Sequence, residues 1–125
     1  MKDLQKKLKQ FAEARDWQQF HSPKNLSMAL SVEASELLEH FQWLTEEQSY
    51  QLNDDTYSEV KDELADVFMY TLLLADKLNI DLLDAAEKKY IKNEEKYPVE
   101  LAKGSAKKYT AYQHLRQQHQ GDKQD

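Results

Sequence analysis

Cysteine is absent from the 125 residues, so neither a disulfide framework nor thiolate chemistry is available. Glycine and proline occur twice each, which leaves few enforced breaks, and no segment shows the strict alternation of a half-buried strand. Long helices are what remains. Long apolar runs are missing too. The longest, 67–75, is interrupted by Thr71 and falls far short of the roughly 20 residues a membrane helix needs. The opening Met-Lys-Asp-Leu-Gln-Lys-Lys-Leu-Lys-Gln has no apolar core of the kind that marks a secretory leader, so a soluble cytoplasmic protein without a membrane partner is expected. Basic residues are the minority, 17 Lys and Arg against 23 Asp and Glu, for a net charge of −6. That balance argues against a nucleic-acid polymer as partner, since such binding rests mainly on Lys and Arg neutralising phosphates. It does not argue against a nucleotide accompanied by divalent cations, which invert the sign of a carboxylate site.

What the chain has in quantity is acid, and two pairs of acids sit where ordinary surface charge does not explain them. In Glu33-Ala-Ser-Glu36 and Glu63-Leu-Ala-Asp66 the partners are three residues apart, hence on one helix face with Cβ atoms roughly 5 to 6 Å from each other. At about 100° per residue, Leu26, Leu30, Leu37, Phe41 and Leu44 form an apolar stripe. Glu33 falls inside it and Glu36 at its edge, whereas Glu39 falls on the opposite face. An ionised carboxylate away from water is costly unless it is paired or bound to metal. In the second stretch Val60, Leu64, Val67, Thr71, Leu74 and Leu78 read as the main stripe, with Glu63, Asp66, Tyr70 and Leu73 in a second line beside it. If the two helices pack antiparallel, four carboxylates converge. Hard oxygen donors without cysteine, and without histidine at the required spacing, favour Mg²⁺ or Mn²⁺ over zinc or iron.

Two other readings compete. A di-iron carboxylate bundle puts acids inward on facing helices, but it calls for Glu-x-x-His on two of them, where this chain has Glu36 and Asp66. A non-catalytic helical interaction protein would leave the acids solvated and use the apolar third helix as a dimer seam. Glu33 in mid-stripe and the recurrence of the pair speak against it.

Taken in order, Leu4, Leu8 and Phe11 predict a first helix ending near Arg15. Trp17, Phe20 and His21 fall in the connection that follows, either plugging a bundle end or walling a site for a flat ligand. Ser22-Pro23 is a helix start, and the second helix is expected to run to about Leu44. His40, near its apolar edge, reads as structural. Thr45 to Gln48 has the capping-box pattern. A third helix is expected from about Asp55 to Lys77, after the cap cluster at Asn53, and its nearly all-round apolar segment 67–74 suggests a subunit interface. Asn79 suits a C-terminal cap, and Asp81 an N-cap for a fourth helix from Leu82 to about Lys96, before Pro98. Lys89, Asn93 and Lys96 share one face of it, and the lysines are candidates for phosphate contacts. His21 and Asn25 are candidates for hydrogen bonds to a base, or simply for core packing. One domain over 1–110 and a polar, mobile tail over 111–125 complete the expected organisation.

These residues carry a resemblance. Glu33-x-x-Glu36 followed by Glu63-x-x-Asp66 resembles the metal signature of the all-α MazG-like nucleoside triphosphate pyrophosphohydrolases. Phe11-Ala-x-x-Arg-Asp-Trp17-x-Gln-Phe-His21-x-Pro-x-Asn25-Leu, Phe41-Gln-Trp43, and Tyr97-Pro-x-x-Leu-Ala-x-Gly-Ser with Lys108-Tyr-Thr are similar to its dCTP pyrophosphatase branch. The likeness covers roughly residues 4 to 110. It implies a four-helix-bundle-type, homotetrameric enzyme that converts a deoxynucleoside triphosphate to the monophosphate and pyrophosphate, by analogy in nucleotide-pool house-cleaning. It implies Mg²⁺ on Glu33, Glu36, Glu63 and Asp66, with Trp17, Trp43 and Tyr70 around the nucleotide. Lys89, Asn93 and Lys96 match a basic and amide motif in which Lys96 stands where arginine is frequent, keeping charge but not bidentate geometry. Leu8 stands where the animal enzymes of the branch place a substrate-contacting histidine, so dCTP is implied as a preference. A dUTP-directed or broader nucleotide range fits the same metal site.

Overall fold

The computed structural model describes residues 1–104, and every regular element in them is helical. The Lys108 segment and the expected tail lie outside the described residues. Two compact units meet in sequence at Asp81 and Leu82.

The first unit holds α1 (Lys2–Ala14), a 3₁₀ turn (Gln18–Phe20), α2 (Pro23–Glu39), α3 (Glu46–Ser49) and α4 (Asp54–Lys77). Local chemistry fixes most of these boundaries. Ser22 Oγ accepts from the Asn25 amide at 3.1 Å, with Pro23 in the first turn of α2. Thr45 and Gln48 form the expected reciprocal capping box on α3, and Asn53 Oδ1 accepts from the Thr56 amide at 2.8 Å to start α4. At the other end of α4, Asn79 adopts φ 54°. The Ile80 amide then reaches Ala75 O at 2.8 Å and the Asn79 amide reaches Asp76 O at 3.2 Å, the two bonds of a Schellman cap.

The same motif closes α1 and has a consequence for the site. Asp16 takes φ 53°, the Trp17 amide donates to Ala12 O at 2.9 Å and the Asp16 amide to Glu13 O at 3.1 Å. Such caps bring the residue after the left-handed one against the last turn of the helix. Here that residue is Trp17, edge-on to Phe11 with ring centroids 5.6 Å apart. Asp tolerates this conformation better than branched residues do. Asp16→Val is therefore expected to cost about 1 to 3 kcal/mol and Asp16→Gly less, read as urea midpoints. Equal midpoints would remove the left-handed turn as a constraint.

Two expectations are corrected. α2 ends at Glu39, not near Leu44, because the backbone tightens after it. His40, Phe41 and Leu44 donate three residues back, to Leu37, Leu38 and Phe41, although the apolar spacing continues unchanged through Phe41 and Leu44. The inward sector of α4 only partly follows the most regular apolar spacing, whose Val60 is buried and whose Val67, Thr71 and Leu74 are half-buried. Leu64 and Leu78 are 52% and 48% exposed, while Leu72 and Ala75 are buried, and Glu63, Asp66, Tyr70 and Leu73 are half-buried. α4 packs on both α2 and α1. Its segment 67–75 is apolar nearly all round, so periodicity alone does not select the face that those two neighbours claim. The acid line turns inward with that sector.

The core of this unit is small: Ala12, Leu26, Val60, Leu72 and Ala75.

The second unit contains α5 (Leu82–Lys96), which stops before Pro98 as expected, and a single turn, α6 (Val99–Ala102). Asp84 and Lys88 pair at 2.9 Å along the exposed surface of α5.

Candidate functional site

The facing surfaces of α2 and α4 bring Glu33, Glu36 and Glu63 together. One carboxylate oxygen from each lies within 4.8 Å of the other two, and all three residues are half-buried. Glu39, on the outer face, is exposed. Oε2 of Glu33 and Oε2 of Glu63 are closed off from solvent and accept no hydrogen bond from any described residue. Burial is the largest influence on Glu33. Together with hydrogen-bond contact to Glu63 and Glu36 and the charge of both, it pushes that carboxyl up to about 7. For Glu63 the strongest influence is the contact with Glu33, which favours its charged form. Burial, Glu36 and Asp66 outweigh that contact and leave Glu63 above the ordinary carboxylate range. Crowding of this kind favours a retained proton on Glu33, and among the described residues no ion pair is formed by either acid.

This donor set fits a hard divalent cation. Ligands of Mg²⁺ lie about 2.1 Å from it, so their oxygens stand at most about 4.2 Å apart. Oxygens already within 4.8 Å of one another need only small side-chain adjustments. The two orphaned oxygens are the groups such an ion would satisfy.

Asp66 stands outside the group of three, one turn further along α4. Its charge reaches Glu63, and it lines an open-sided cavity of about 150 Å³ between α1, the 3₁₀ turn and α4. Leu8, Phe11, Ala12, Trp17, His21, Met69, Tyr70 and Leu73 form the rest of the lining. Asp66 thus joins the acid cluster to the cavity. Trp17 is placed by the Schellman cap, and the Arg15 guanidinium lies 3.5 Å from the centroid of the Phe11 ring that Trp17 packs against. His21 follows the 3₁₀ turn with its ring edge-on to Trp17 at 6.5 Å. Burial and, secondarily, the Lys77 charge hold His21 below the usual imidazole value, so the neutral ring, with one donor and one acceptor, prevails at pH 7.

The other expected residues are placed differently. Asn25 Nδ2 donates to Phe20 O at 2.9 Å, which ties the start of α2 to the turn that carries His21. Trp43, in the turn after α2, is 86% exposed and does not line the cavity. His40 lies 3.7 Å from Glu59, in keeping with a structural role. In the second unit, Lys89 and Asn93 are exposed and Lys96 is half-buried. Contact with Lys96, then its charge, burial and Lys92 bring the Lys89 amine below its usual range, so positive charge is concentrated along that face of α5. Leu73 continues the line of Glu63, Asp66 and Tyr70 into the cavity lining, whereas Met69 is a cavity residue that the sequence reading does not flag. The spacing of three between Asp66 and Met69, on the same side of α4, is the signal that finds it.

The sequence matches the MazG-like family over residues 28–111, a span that holds all four acids and begins after Trp17, His21 and Asn25. Among curated proteins, dCTP pyrophosphatase 1 of Rattus norvegicus is 40% identical over 114 residues, which cover 88% of this chain and 66% of that protein. The protein of the same name from Homo sapiens is 37% identical over 116 residues, covering 91% of this chain and 68% of its own length. The chain therefore spans about two thirds of the length of these relatives. Among solved structures, a pyrophosphatase from Archaeoglobus fulgidus superposes with a TM-score of 0.75 at 39% identity, covering 78% of this chain and 92% of that one.

Proposed function

This chain belongs to the MazG-like family, and on that premise we propose that it hydrolyses a deoxynucleoside triphosphate, dCTP or a related or modified deoxynucleotide, to the monophosphate and pyrophosphate. The observation that carries this reading is the junction at Asp66 of a three-carboxylate cluster suited to a divalent cation and a cavity walled by Trp17 and Tyr70. The relatives named dCTP pyrophosphatase support the choice of nucleotide. Among the described residues no helix is long and apolar enough to cross a membrane.

In this reading Glu33, Glu36 and Glu63 hold Mg²⁺, with Mn²⁺ as its substitute, and Asp66 completes the set from the cavity side. When bound, the cation neutralises phosphate charge and polarises the bond under attack. Because the Glu33 carboxyl is pushed up to about 7, cation uptake by these acids would be coupled to release of the proton that Glu33 retains. Glu36 or Glu33 also orients the attacking water. A base stacks on Trp17, a contact worth about 1 to 3 kcal/mol in nucleic-acid systems, with Tyr70 opposite it. Neutral His21 offers the directional donor and acceptor, and Asn25 holds His21 in place through Phe20.

Lys89, Asn93 and Lys96 serve the triphosphate in this proposal, supported by the concentrated charge at Lys89 and Lys96. Lys96→Gln is expected to raise KM about tenfold with a smaller change in kcat, as for loss of a charged hydrogen bond made in both ground and transition states. Unchanged steady-state constants would remove that assignment. A homotetramer is part of the same proposal. Leu64 and Phe68, one turn apart on α4, are 52% and 43% exposed, apolar surface that a second copy would cover, and such a contact would let Trp43 approach a site.

A product assay tests the reaction: purified protein with Mg²⁺, each deoxynucleoside triphosphate in turn, and ion-exchange separation of the products. Monophosphate and pyrophosphate, strongest with dCTP and abolished by EDTA, are expected. Release of inorganic phosphate with the diphosphate, or turnover that survives EDTA, would overturn the assignment.

A further inference from the structure

We propose that Arg15 is a positioning residue for the base: without meeting the ligand, it holds Phe11, and through Phe11 the indole of Trp17, in the orientation that walls the cavity. This rests on the reading that the cavity takes the base against Trp17. Burial does not secure that wall. Phe11 and Trp17 are 47% and 43% exposed, so core packing alone leaves each ring other rotamers to occupy. The end of α1 and the left-handed Asp16 fix the backbone of both residues, but a cap sets where a ring starts and not where it points.

Arg15 supplies what burial does not. Its Nη1 donates to Phe11 O at 3.1 Å while the guanidinium lies 3.5 Å from the centroid of the Phe11 ring, so one planar group grips the backbone and the side chain of the same residue. Phe11 meets Trp17 at 5.6 Å with the ring planes 74° apart, an edge contact whose attraction depends on the angle between the rings. Trp17 in turn lies edge-on to His21 at 6.5 Å. Phe11, Trp17 and His21 line the cavity and Arg15 stays outside it, exposed at the end of α1. Arginine near a helix C-terminus is often no more than a partner for the last carbonyls. A cap of that kind acts on stability, whereas a group that orients a stacking surface acts on affinity, and this separates the two roles.

The test compares the native protein with Arg15→Met, Phe11→Leu and the double variant, measuring steady-state constants for dCTP, calorimetric Kd for dCMP and urea midpoints. Methionine keeps an unbranched side chain but removes the charge and the donors. Arg15→Met is expected to raise KM and the dCMP Kd about two- to fivefold, the scale of an exposed cation–π contact, with kcat unchanged because stacking is made alike in the ground and transition states. With Phe11→Leu already in place there is no ring to grip, and the same substitution is expected to change neither constant. Equal increments in both backgrounds, or an effect confined to kcat or to the urea midpoint, overturn the proposal. If the native protein turns over no triphosphate, the reaction reading fails, and the dCMP Kd values decide the positioning role alone. A native protein that does not bind dCMP overturns that role as well.

Discussion

Glu63→Gln is expected to lower turnover by at least about two to three orders of magnitude, while helix content is unchanged and the cation-free protein melts at a higher temperature. The opposite signs follow from one geometry. Glutamine keeps the size of the side chain and one acceptor oxygen but removes a charge from a set already crowded by Glu33, Glu36 and Asp66. In the native protein Oε2 of Glu63 and Oε2 of Glu33 are both closed off without a hydrogen-bond partner, and the amide brings a donor into the cluster. Folding therefore gains what cation binding loses. Calorimetric titration with Mg²⁺ and Mn²⁺, turnover and thermal melts read the three effects separately. Turnover within tenfold of the native enzyme, with intact cation binding, would take the cluster out of the chemistry.

The second large effect is a stability profile that runs against the usual behaviour of carboxylates. Glu33 has an ordinary value of 4.5 and is pushed up to about 7 by burial and by its acid neighbours. Between those two values the folded state holds a proton that the unfolded chain has released. Stability contributed by this group is therefore fully present below about 4.5 and is lost as the pH rises through about 7. The raised value of Glu63 acts in the same direction. Without cations the melting temperature should fall by several degrees between pH 5 and pH 8. Saturating Mg²⁺ should abolish that fall, since the ion replaces the proton, and a hundredfold excess over Kd adds about 2.7 kcal/mol. A cation-free protein that grows steadily more stable from pH 5 to pH 8 would show that the acids are effectively solvated.

How much of this was legible depended on whether the cause was local. Ser22, Thr45 with Gln48, Asn53 and Asn79 act within a few residues of themselves, so the sequence alone places each cap. Glu33, Glu36 and Glu63 are equally legible, because spacing three puts paired acids on one face and one of them interrupts an apolar stripe. The end of α2 is not. Phe41 and Leu44 keep helical spacing through a turn whose backbone has already tightened, and only the capping box at Thr45 hints that the helix must stop before it. The face of α4 is decided by α1 and α2 together, which no single-helix periodicity contains. Trp17 is visible as an aromatic next to a helix end, yet its place in the cavity depends on the left-handed Asp16. Trp43 carries the same chemistry and projects 86% into solvent, a difference of position and not of residue type.

The helices that pack together most extensively, α2 and α4, are also those that carry the acids, and this bears on how fast the chain folds. In a helical unit whose contacts are mostly local, the docking of such a pair is a natural part of the transition state. Docking these two helices forces Glu33, Glu36 and Glu63 together before any cation has a complete site to enter. The repulsion then acts on the folding rate, and relieving it should accelerate folding more than it slows unfolding. A chevron for Glu63→Gln would show the displacement mainly in its folding limb, and Mg²⁺ added to the native sequence would slow the unfolding limb, where the completed site is taken apart.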